Sequence, residues 1–234
     1  MRMRKKRVFV WMLAILLLTG CGGPAVSADS AAEIPQTKYI ALTFDDGPKA
    51  GTTDVLLDGL RDRGASATFF VVGEQARRYP ELVRRMAAEG HQVGNHTWSH
   101  VRLEDAEPEV VRAEIGQTET LLRSLLGGQD YWLRPPYGQI TAGTEGEITV
   151  PMMKWSVDPR DWESRDADKV TEAVLSAAAP NSIILLHDIY PTSVEAALRV
   201  VDALAAQGYW FVTVEELLRL NGIEAQSGVL YRTG

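Results

Sequence analysis

Two adjacent carboxylates, Asp45 and Asp46, follow an apolar run of β-forming residues at positions 39–44, and a Gly-Pro pair then ends the predicted strand. Neighbouring acids repel each other, and at the end of an apolar strand they are poorly hydrated. The two carboxylates therefore indicate that a cation or another stabilising partner binds at this point. Taken alone, the segment is equally compatible with a polar turn at a strand end.

Two histidines, His96 and His100, stand four residues apart in the sequence HTWSH. This spacing places both imidazoles on one face of a helical turn, as metal ligands require, although two surface histidines are the simpler alternative. A zincin protease would need Glu after the first histidine, where this chain has Thr97. A carboxylate at the end of the first strand would complete a site of two His and one Asp, with open positions for water.

Polar residues of catalytic type follow three more apolar segments: Arg134 after YWL, Asp158 and Asp161 after KWSV, and His187 after IILL. In α/β barrels the active site lies at the carboxyl ends of the strands, so these groups are expected to meet at one mouth. Asp158 is the exception, because an Asp-Pro pair commonly opens a turn.

The elements that would position these groups alternate along the chain. Seven apolar segments predict strands, at residues 39–44, 67–72, 92–95, 131–133, 152–157, 183–186 and 209–212. Helical patterns lie between most of them, at residues 52–64, 80–90, 108–126, 168–178 and 193–207, with a last helix after Thr213. The alternation predicts a parallel α/β architecture, either a barrel or an open sheet.

Two details concern the ends and connections of these elements. Thr192 with Glu195 and Thr213 with Glu216 have capping-box spacing, which predicts the starts of the last two helices. Residues 138–151 are rich in Gly and lack a 3.6-residue apolar stripe, so no regular helix is predicted there.

The first twenty residues have the pattern of an export signal. Five basic residues precede an apolar run at positions 8–18, which is too short for the roughly 20 residues that a membrane-spanning helix needs. The following sequence LTGC resembles the bacterial lipobox, which predicts lipidation of Cys21 and a lipid anchor on the outer face of the bacterial membrane. The alternative is an ordinary signal peptide and a secreted protein.

Charge and cysteine content exclude several functions. Cys21 is the only cysteine, so an intrachain disulfide cannot form and no thiol remains for catalysis. Loss of residues 1–20 with their five positive charges would change the formal net charge from −7 to −12. An acidic protein is a poor binder of nucleic acid or of another anionic polymer through bulk electrostatics, whereas a neutral glycan is a compatible partner.

Five segments in order, TFDDGP, HTWSH, RPPYG, DPRDW and LLHD, resemble the polysaccharide deacetylase family, the NodB homology domain of carbohydrate esterase family four. The resemblance covers residues 38–222 and implies a single catalytic domain, a distorted (β/α) barrel of about seven parallel strands. The expected organisation is a lipoprotein signal peptide at 1–20, a flexible tether at 21–37, this domain, and a tail at 223–234. The protein is expected to be a monomer.

The resemblance also implies a role for each site residue. The metal ligands would be Asp46, His96 and His100, which would hold one divalent ion, with Zn²⁺ expected and Co²⁺ or another divalent ion as the alternative. The remaining roles would be Asp45 as catalytic base, Arg134 as its orienting partner, the backbone N–H of Tyr137 as oxyanion donor, His187 as general acid, Asp161 as its partner, and Trp162 and Leu185 as the lining of the acetyl pocket.

The implied reaction is metal-dependent hydrolytic N-deacetylation of an N-acetylated cell-surface glycan. The predicted location beside the cell wall favours peptidoglycan N-acetylglucosamine as the substrate. Deacetylation of chitooligosaccharide or acetylxylan would use the same residues, and an Fe(II) oxygenase would use a similar ligand set with a cosubstrate. A non-catalytic glycan-binding lipoprotein is the remaining alternative. Asp45, Arg134 and His187 count against it, because binding alone needs neither an acid nor a base.

Overall fold

A computed structural model describes residues 37–234 of the 234-residue chain. The predicted signal peptide, Cys21 and all but the last residue of the predicted tether lie outside the described residues. Within residues 37–234, none of the helices combines the length and the apolar character that a membrane crossing requires.

Short strands alternate with helices along the described chain. The strands are β1 (Lys38–Asp45), β2 (Thr68–Val71), β3 (Gln92–Asn95), β4 (Met152–Met153), β5 (Ile183–His187), β6 (Tyr209–Phe211) and β7 (Leu230–Tyr231). The helices are α1 (Thr53–Asp62), α2 (Gly73–Arg78), α3 (Pro80–Ala88), α4 (Pro108–Leu126), α5 (Ala142–Glu145), α6 (Asp161–Ser164), α7 (Ala167–Ala177), α8 (Pro191–Ala205) and α9 (Val214–Leu220). A 3₁₀ turn covers Pro136–Gly138.

Strand β1 is the centre of a parallel sheet. The order β3-β2-β1-β5 is continuous, and β6 pairs with the first residues of β1. Parallel bridges continue the pairing from Asn95 to Leu133, from Leu133 to Met152, and from Val157 to Ile184 in β5. The parallel α/β architecture is therefore confirmed, and the bridges lead from β3 around to β5 in the manner of a distorted barrel.

The barrel is thinnest at two strands that are shorter in the structure than the sequence predicted. The predicted strand at 131–133 is a single bridge at Leu133, and the one at 152–157 is reduced to β4 and a bridge at Val157. The carbonyl groups of Met153 and Lys154 accept hydrogen bonds from the Arg134 side chain, at 3.2 and 2.8 Å, in place of strand partners. Pro135 and Pro136 follow at once and have no N–H to donate to a ladder.

The C-terminal segment contributes a strand that the sequence did not predict. β7 pairs in parallel with β4, and the N–H of Lys154 donates to the carbonyl of Tyr231 at 2.7 Å. Residues 223–234, predicted to be a tail, thus include a two-residue strand beside the thinnest part of the barrel. A strand of this length is too short for an alternation signal.

The six long helical patterns are confirmed, and the differences are local. The helices α2, α5 and α6 were not predicted, and none is longer than six residues, too short to display a stripe. Since α5 lies within 138–151, the prediction of no regular helix there is wrong for one turn. The cap predicted at Thr192 is also wrong, because α8 starts at Pro191 with Tyr190 as N-cap. The Thr213 side chain does cap α9, accepting from the N–H of Glu216 at 3.1 Å.

The apolar core lies between the sheet and the helices that cover it. Phe69 of β2 is 1% exposed and stacks on Phe44 of β1 with ring centres 5.2 Å apart. The pair lies one residue before the end of β1, so the packing that holds the sheet also supports Asp45 and Asp46.

Replacing Phe69 with Ala is expected to lower the free energy of unfolding by about 3–5 kcal/mol, because it leaves a cavity in the closely packed sheet. Chemical denaturation followed by circular dichroism measures this change. Val55→Ala on α1, where the side chain is 49% exposed, is the control and should change stability by less than about 0.5 kcal/mol. Equal effects of the two substitutions would contradict this account of the core.

Candidate active site

A cavity of about 350 Å³ opens at the carboxyl ends of β1 and β5. It is lined by Asp45, Asp46, His96, His100, Tyr137, Trp155, Asp158, Trp162, Leu185, His187 and Tyr190. Eight of these residues were expected at the site from the sequence. Arg134 and Asp161, the other two expected residues, lie behind the lining, in contact with Asp45 and His187 respectively.

Asp46, His96 and His100 are brought together as a potential metal site. One ligand atom from each lies within 4.8 Å of the other two. Oδ1 of Asp46 is 3.6 Å from Nε2 of His96 and 3.3 Å from Nε2 of His100. Asp46 and His100 both have left-handed backbone conformations, at φ 74° and 62°, which non-glycine residues adopt mainly where the surrounding structure imposes it.

Hydrogen bonding shows that these atoms fit a cation. Nδ1 of His96 lies 2.7 Å from the carbonyl oxygen of Arg134, which can only accept, so Nδ1 carries the proton and Nε2 presents a lone pair. Oδ1 of Asp46 is buried and has no hydrogen-bond partner among residues 37–234. Burial, and then the neighbouring His96, lower the pKa of His100, which favours the neutral imidazole that binds metals. Acceptor atoms therefore face one another, and a divalent ion would satisfy all three.

Asp45 is held by a fully buried guanidinium. Nη1 of Arg134 donates to Oδ1 of Asp45 at 2.8 Å and to Oγ1 of Thr43 at 2.7 Å. Burial lowers the pKa of Arg134 from its ordinary value, and the charge and hydrogen bond of Asp45 oppose that change. Oδ2 of Asp45, 3.6 Å from Nε2 of His96, stays available on the side of the metal ligands.

His187 is oriented by a buried carboxylate. Nδ1 of His187 lies 2.8 Å from Oδ1 of Asp161, and the backbone N–H of His187 donates to Oδ2 of Asp161 at 2.8 Å. Ser193 donates a further hydrogen bond to Oδ2 of Asp161. Burial lowers the pKa of His187, but the hydrogen bond and charge of Asp161, aided by Asp45 and Asp46, outweigh it and raise the pKa to about 9. The imidazole is therefore a proton donor at neutral pH.

Three further predicted residues line the same cavity. Tyr137 has a left-handed backbone at φ 60°, and its N–H has no acceptor among residues 37–234. Leu185 is 4% exposed and Trp162 is 43% exposed, so the wall contributed by Trp162 is also in contact with solvent. The structure thus places all three where the sequence expected them, and their catalytic roles remain predictions.

Asp188, Tyr190 and Trp155 belong to the site region but were not predicted. Asp188 is 1% exposed, accepts a hydrogen bond from Thr53, and has a pKa that burial raises to about 7 against the effect of that bond. The only sequence signal for Asp188 was its position directly after His187 in the segment LLHD. Asp158 lines the cavity too, and its Oδ1 accepts from the N–H of Arg160 at 2.9 Å, as the turn interpretation predicts.

Comparison with known proteins gives a consistent family assignment. The family model described as Polysaccharide deacetylase matches residues 32–149. The chain is 40% identical over 183 residues to peptidoglycan-N-acetylmuramic acid deacetylase PdaC of Bacillus subtilis, covering 78% of this chain and 39% of that protein. It is also 40% identical over 188 residues to peptidoglycan-N-acetylglucosamine deacetylase PgdA of Listeria monocytogenes, covering 79% and 40%. The chain therefore spans about two fifths of the length of these two relatives.

A solved structure with a bound metal has the same fold. The family 4 acetyl xylan esterase from Clostridium thermocellum, in complex with a cobalt ion, superposes with a TM-score of 0.79 at 31% identity. The match covers 84% of this chain and 98% of the esterase.

Replacing His100 with Ala is expected to weaken Zn²⁺ binding by about a hundredfold or more, because losing a ligand costs more than the ten- to hundredfold effect of losing a supporting group. Isothermal titration of the chelator-stripped protein measures the affinity. The control is His187→Gln, which removes another imidazole of the same cavity. Because the His187 ring is bonded to Asp161 and is not a proposed ligand, this variant should bind Zn²⁺ as the unchanged protein does. Equal affinities for all three proteins would exclude His100 as a ligand.

Proposed function

Because the chain belongs to the polysaccharide deacetylase family, we propose that it is a metal-dependent hydrolase that removes N-acetyl groups from a glycan. One observation carries the proposal. Asp45 and His187 are register partners on the adjacent parallel strands β1 and β5, so a carboxylate and a protonated imidazole line one cavity beside the Asp46, His96 and His100 cluster.

Hydrolysis of an acetamide has three chemical requirements. Water must be activated, the negative charge that develops on the carbonyl oxygen must be stabilised, and the departing amine must receive a proton, because it leaves poorly as an anion. Asp46, His96 and His100 would hold a divalent ion, proposed to be Zn²⁺ with Co²⁺ as the alternative. Such an ion supplies Lewis acidity, which lowers the pKa of water and polarises a carbonyl group.

Asp45 is the proposed general base. Arg134 fixes one carboxylate oxygen at 2.8 Å and leaves the other on the side of the metal ligands. A water molecule between that oxygen and the acetyl group can give up its proton to Asp45. The charge-assisted hydrogen bond from Arg134 would hold the Asp45 carboxylate in place while its other oxygen accepts the proton.

His187 is the proposed general acid. Its Nδ1 is bonded to Asp161, which leaves Nε2 to deliver a proton to the departing amine. The N–H of Tyr137, which has no acceptor among residues 37–234, would donate to the developing oxyanion, and Leu185 with Trp162 would enclose the acetyl methyl group. Proton removal and proton donation are thus assigned to different strands of one cavity.

Peptidoglycan N-acetylglucosamine is the proposed substrate. PgdA is named for N-acetylglucosamine and supports this choice of sugar, whereas PdaC is named for N-acetylmuramic acid and supports only the polymer, peptidoglycan. The predicted lipobox at Cys21 would anchor the enzyme outside the membrane, as a monomer beside the cell wall. Other relatives are named chitooligosaccharide deacetylase, so that glycan serves as the comparison substrate.

The test is acetate release from peptidoglycan by the chelator-stripped protein after reloading with Zn²⁺ or Co²⁺. Asp45→Asn should lower kcat by about a hundredfold to ten-thousandfold, the usual contribution of a general base. Asp158→Asn is a matched change at the same cavity and should retain activity, since the amide oxygen can still accept from Arg160. Metal binding without acetate release from any acetylated glycan would overturn the proposal. Release from chitooligosaccharide alone would overturn the choice of substrate.

The pH dependence of kcat should report the proton on His187. A group with its pKa raised to about 9 donates a proton below that pH, so activity is expected to fall as pH rises through 9. Asp161→Asn removes the carboxylate that raises the pKa, and the alkaline limb should then move to lower pH. An unchanged alkaline limb in this variant would show that His187 is not the acid.

A further inference from the structure

Arg165 is held at the rim of the cavity by three local features. It ends α6 with a left-handed backbone at φ 48°, and its Nε donates to the carbonyl oxygen of Trp162 at 2.6 Å. The guanidinium carbon lies 3.4 Å from the ring centre of Tyr190. Since Trp162 and Tyr190 both line the cavity beside His187, the cation is fixed against the wall of the proposed active site.

Two arginines lie over rings that line the cavity, Arg102 over Tyr137 and Arg160 over Trp162, and each has an acidic partner, whereas Arg165 has none among residues 37–234. Arg102 pairs with Glu104 at 3.0 Å and Arg160 pairs with Glu163 at 2.5 Å. Among residues 37–234, no carboxylate lies within 4.0 Å of the Arg165 guanidinium.

The chemistry of a stacked guanidinium indicates what it would bind. The guanidinium lies against the Tyr190 ring and its Nε is bonded to the Trp162 carbonyl, so its Nη groups are the donors nearest to hand for a ligand, and a guanidinium matches the two oxygens of a carboxylate. The chain carries a formal net charge of −7, so an anionic polymer gains nothing from the overall field and needs a local cation. Peptidoglycan differs from chitin in a lactyl ether on alternate sugars, whose carboxyl group is an anion where it is free and a neutral amide where a peptide is attached.

We propose that Arg165 binds a carboxylate that the glycan carries on the sugar next to the one being deacetylated. This inference rests on the proposed function and deepens it, because it makes Arg165 a determinant of preference for anionic over neutral glycans. Tyr190 supports the guanidinium, and the Trp162 carbonyl fixes its direction.

The test compares three tetrasaccharides with the same β-1,4 linkage: chitotetraose, alternating N-acetylglucosamine and N-acetylmuramic acid with free lactyl carboxylates, and the latter with each lactyl group converted to its methyl amide. The last compound keeps the bulk of the lactyl group and removes its charge. Arg165→Gln is the variant. Arg160→Gln is the matched control, because Arg160 also has a left-handed backbone beside α6 and lies 5.1 Å from the Trp162 ring centre, but is paired with Glu163.

The measured quantity is the ratio of kcat/KM for the carboxylate compound to that for its amide. Arg165→Gln should lower this ratio about tenfold, mainly through KM, as expected for one charge-assisted hydrogen bond at a rim. Arg160→Gln should leave it unchanged. An unchanged ratio in Arg165→Gln, or an equal loss of activity on all three compounds, would overturn the inference and reduce Arg165 to support for the loop.

Binding separates this inference from the proposed function. In the Zn²⁺-loaded Asp45→Asn background, the dissociation constant of the carboxylate compound should rise about tenfold on adding Arg165→Gln, while that of the amide should not. Loss of this difference would overturn the role of Arg165 even if acetate is released. Absence of acetate release from all three compounds by the unchanged protein would instead overturn the proposed function, and the binding comparison would still decide the inference.

Discussion

The structure depends on one ionic contact, the buried pair of Arg134 and Asp45. The guanidinium is fully buried, and its donors reach Asp45 and Thr43 on β1 and the carbonyl groups of Met153 and Lys154. Removing one partner of such a pair typically costs about 3–5 kcal/mol, because the other charge is left buried and unpaired. The same contact crosses the barrel where its strands are shortest. Orientation of the proposed base and closure of the weakest part of the fold are therefore inseparable.

A second ionic contact has the opposite polarity and sets the opposite role. In the proposed mechanism the reacting group on β1 is the Asp45 carboxylate, a proton acceptor that the Arg134 cation supports. On β5 the proposed reacting group is an imidazole; the Asp161 carboxylate raises the pKa of His187 and so suits it to the proposed role of proton donor. Because Asp45 and His187 are register partners, the sheet itself places the two roles side by side. The different partners of Asp45 and His187 thus suit one group to the proposed role of base and the other to that of acid within a single cavity.

The sequence was informative wherever chemistry coincides with a strong local pattern. Asp45, His96 and His187 each follow an apolar strand, so their common location followed from the architecture before any coordinate was known. The same reasoning could not find β7 or α5, because two and four residues carry no periodic signal and their pairing depends on distant partners. It also missed Arg165 as a rim cation. The contact with the Tyr190 ring and the lack of an acidic partner among residues 37–234, which distinguish it from Arg160, are properties of the folded loop.

Asp188 links two parts of the site: the end of β5, which carries His187, and the loop after β1, which carries Asp46. It follows His187 at the end of β5, and its buried carboxylate packs so closely on Gly47 that a Cβ at that position would collide with it. Gly47 in turn follows Asp46, the proposed metal ligand. Thr53 accepts from the N–H of Lys49 at 2.8 Å and donates to Asp188, which links the start of α1 to the same contact. A shift of β5 would therefore move His187, the proposed acid, and at the same time disturb the loop that carries Asp46. This is why a buried carboxylate outside the proposed reaction belongs to the architecture of the site.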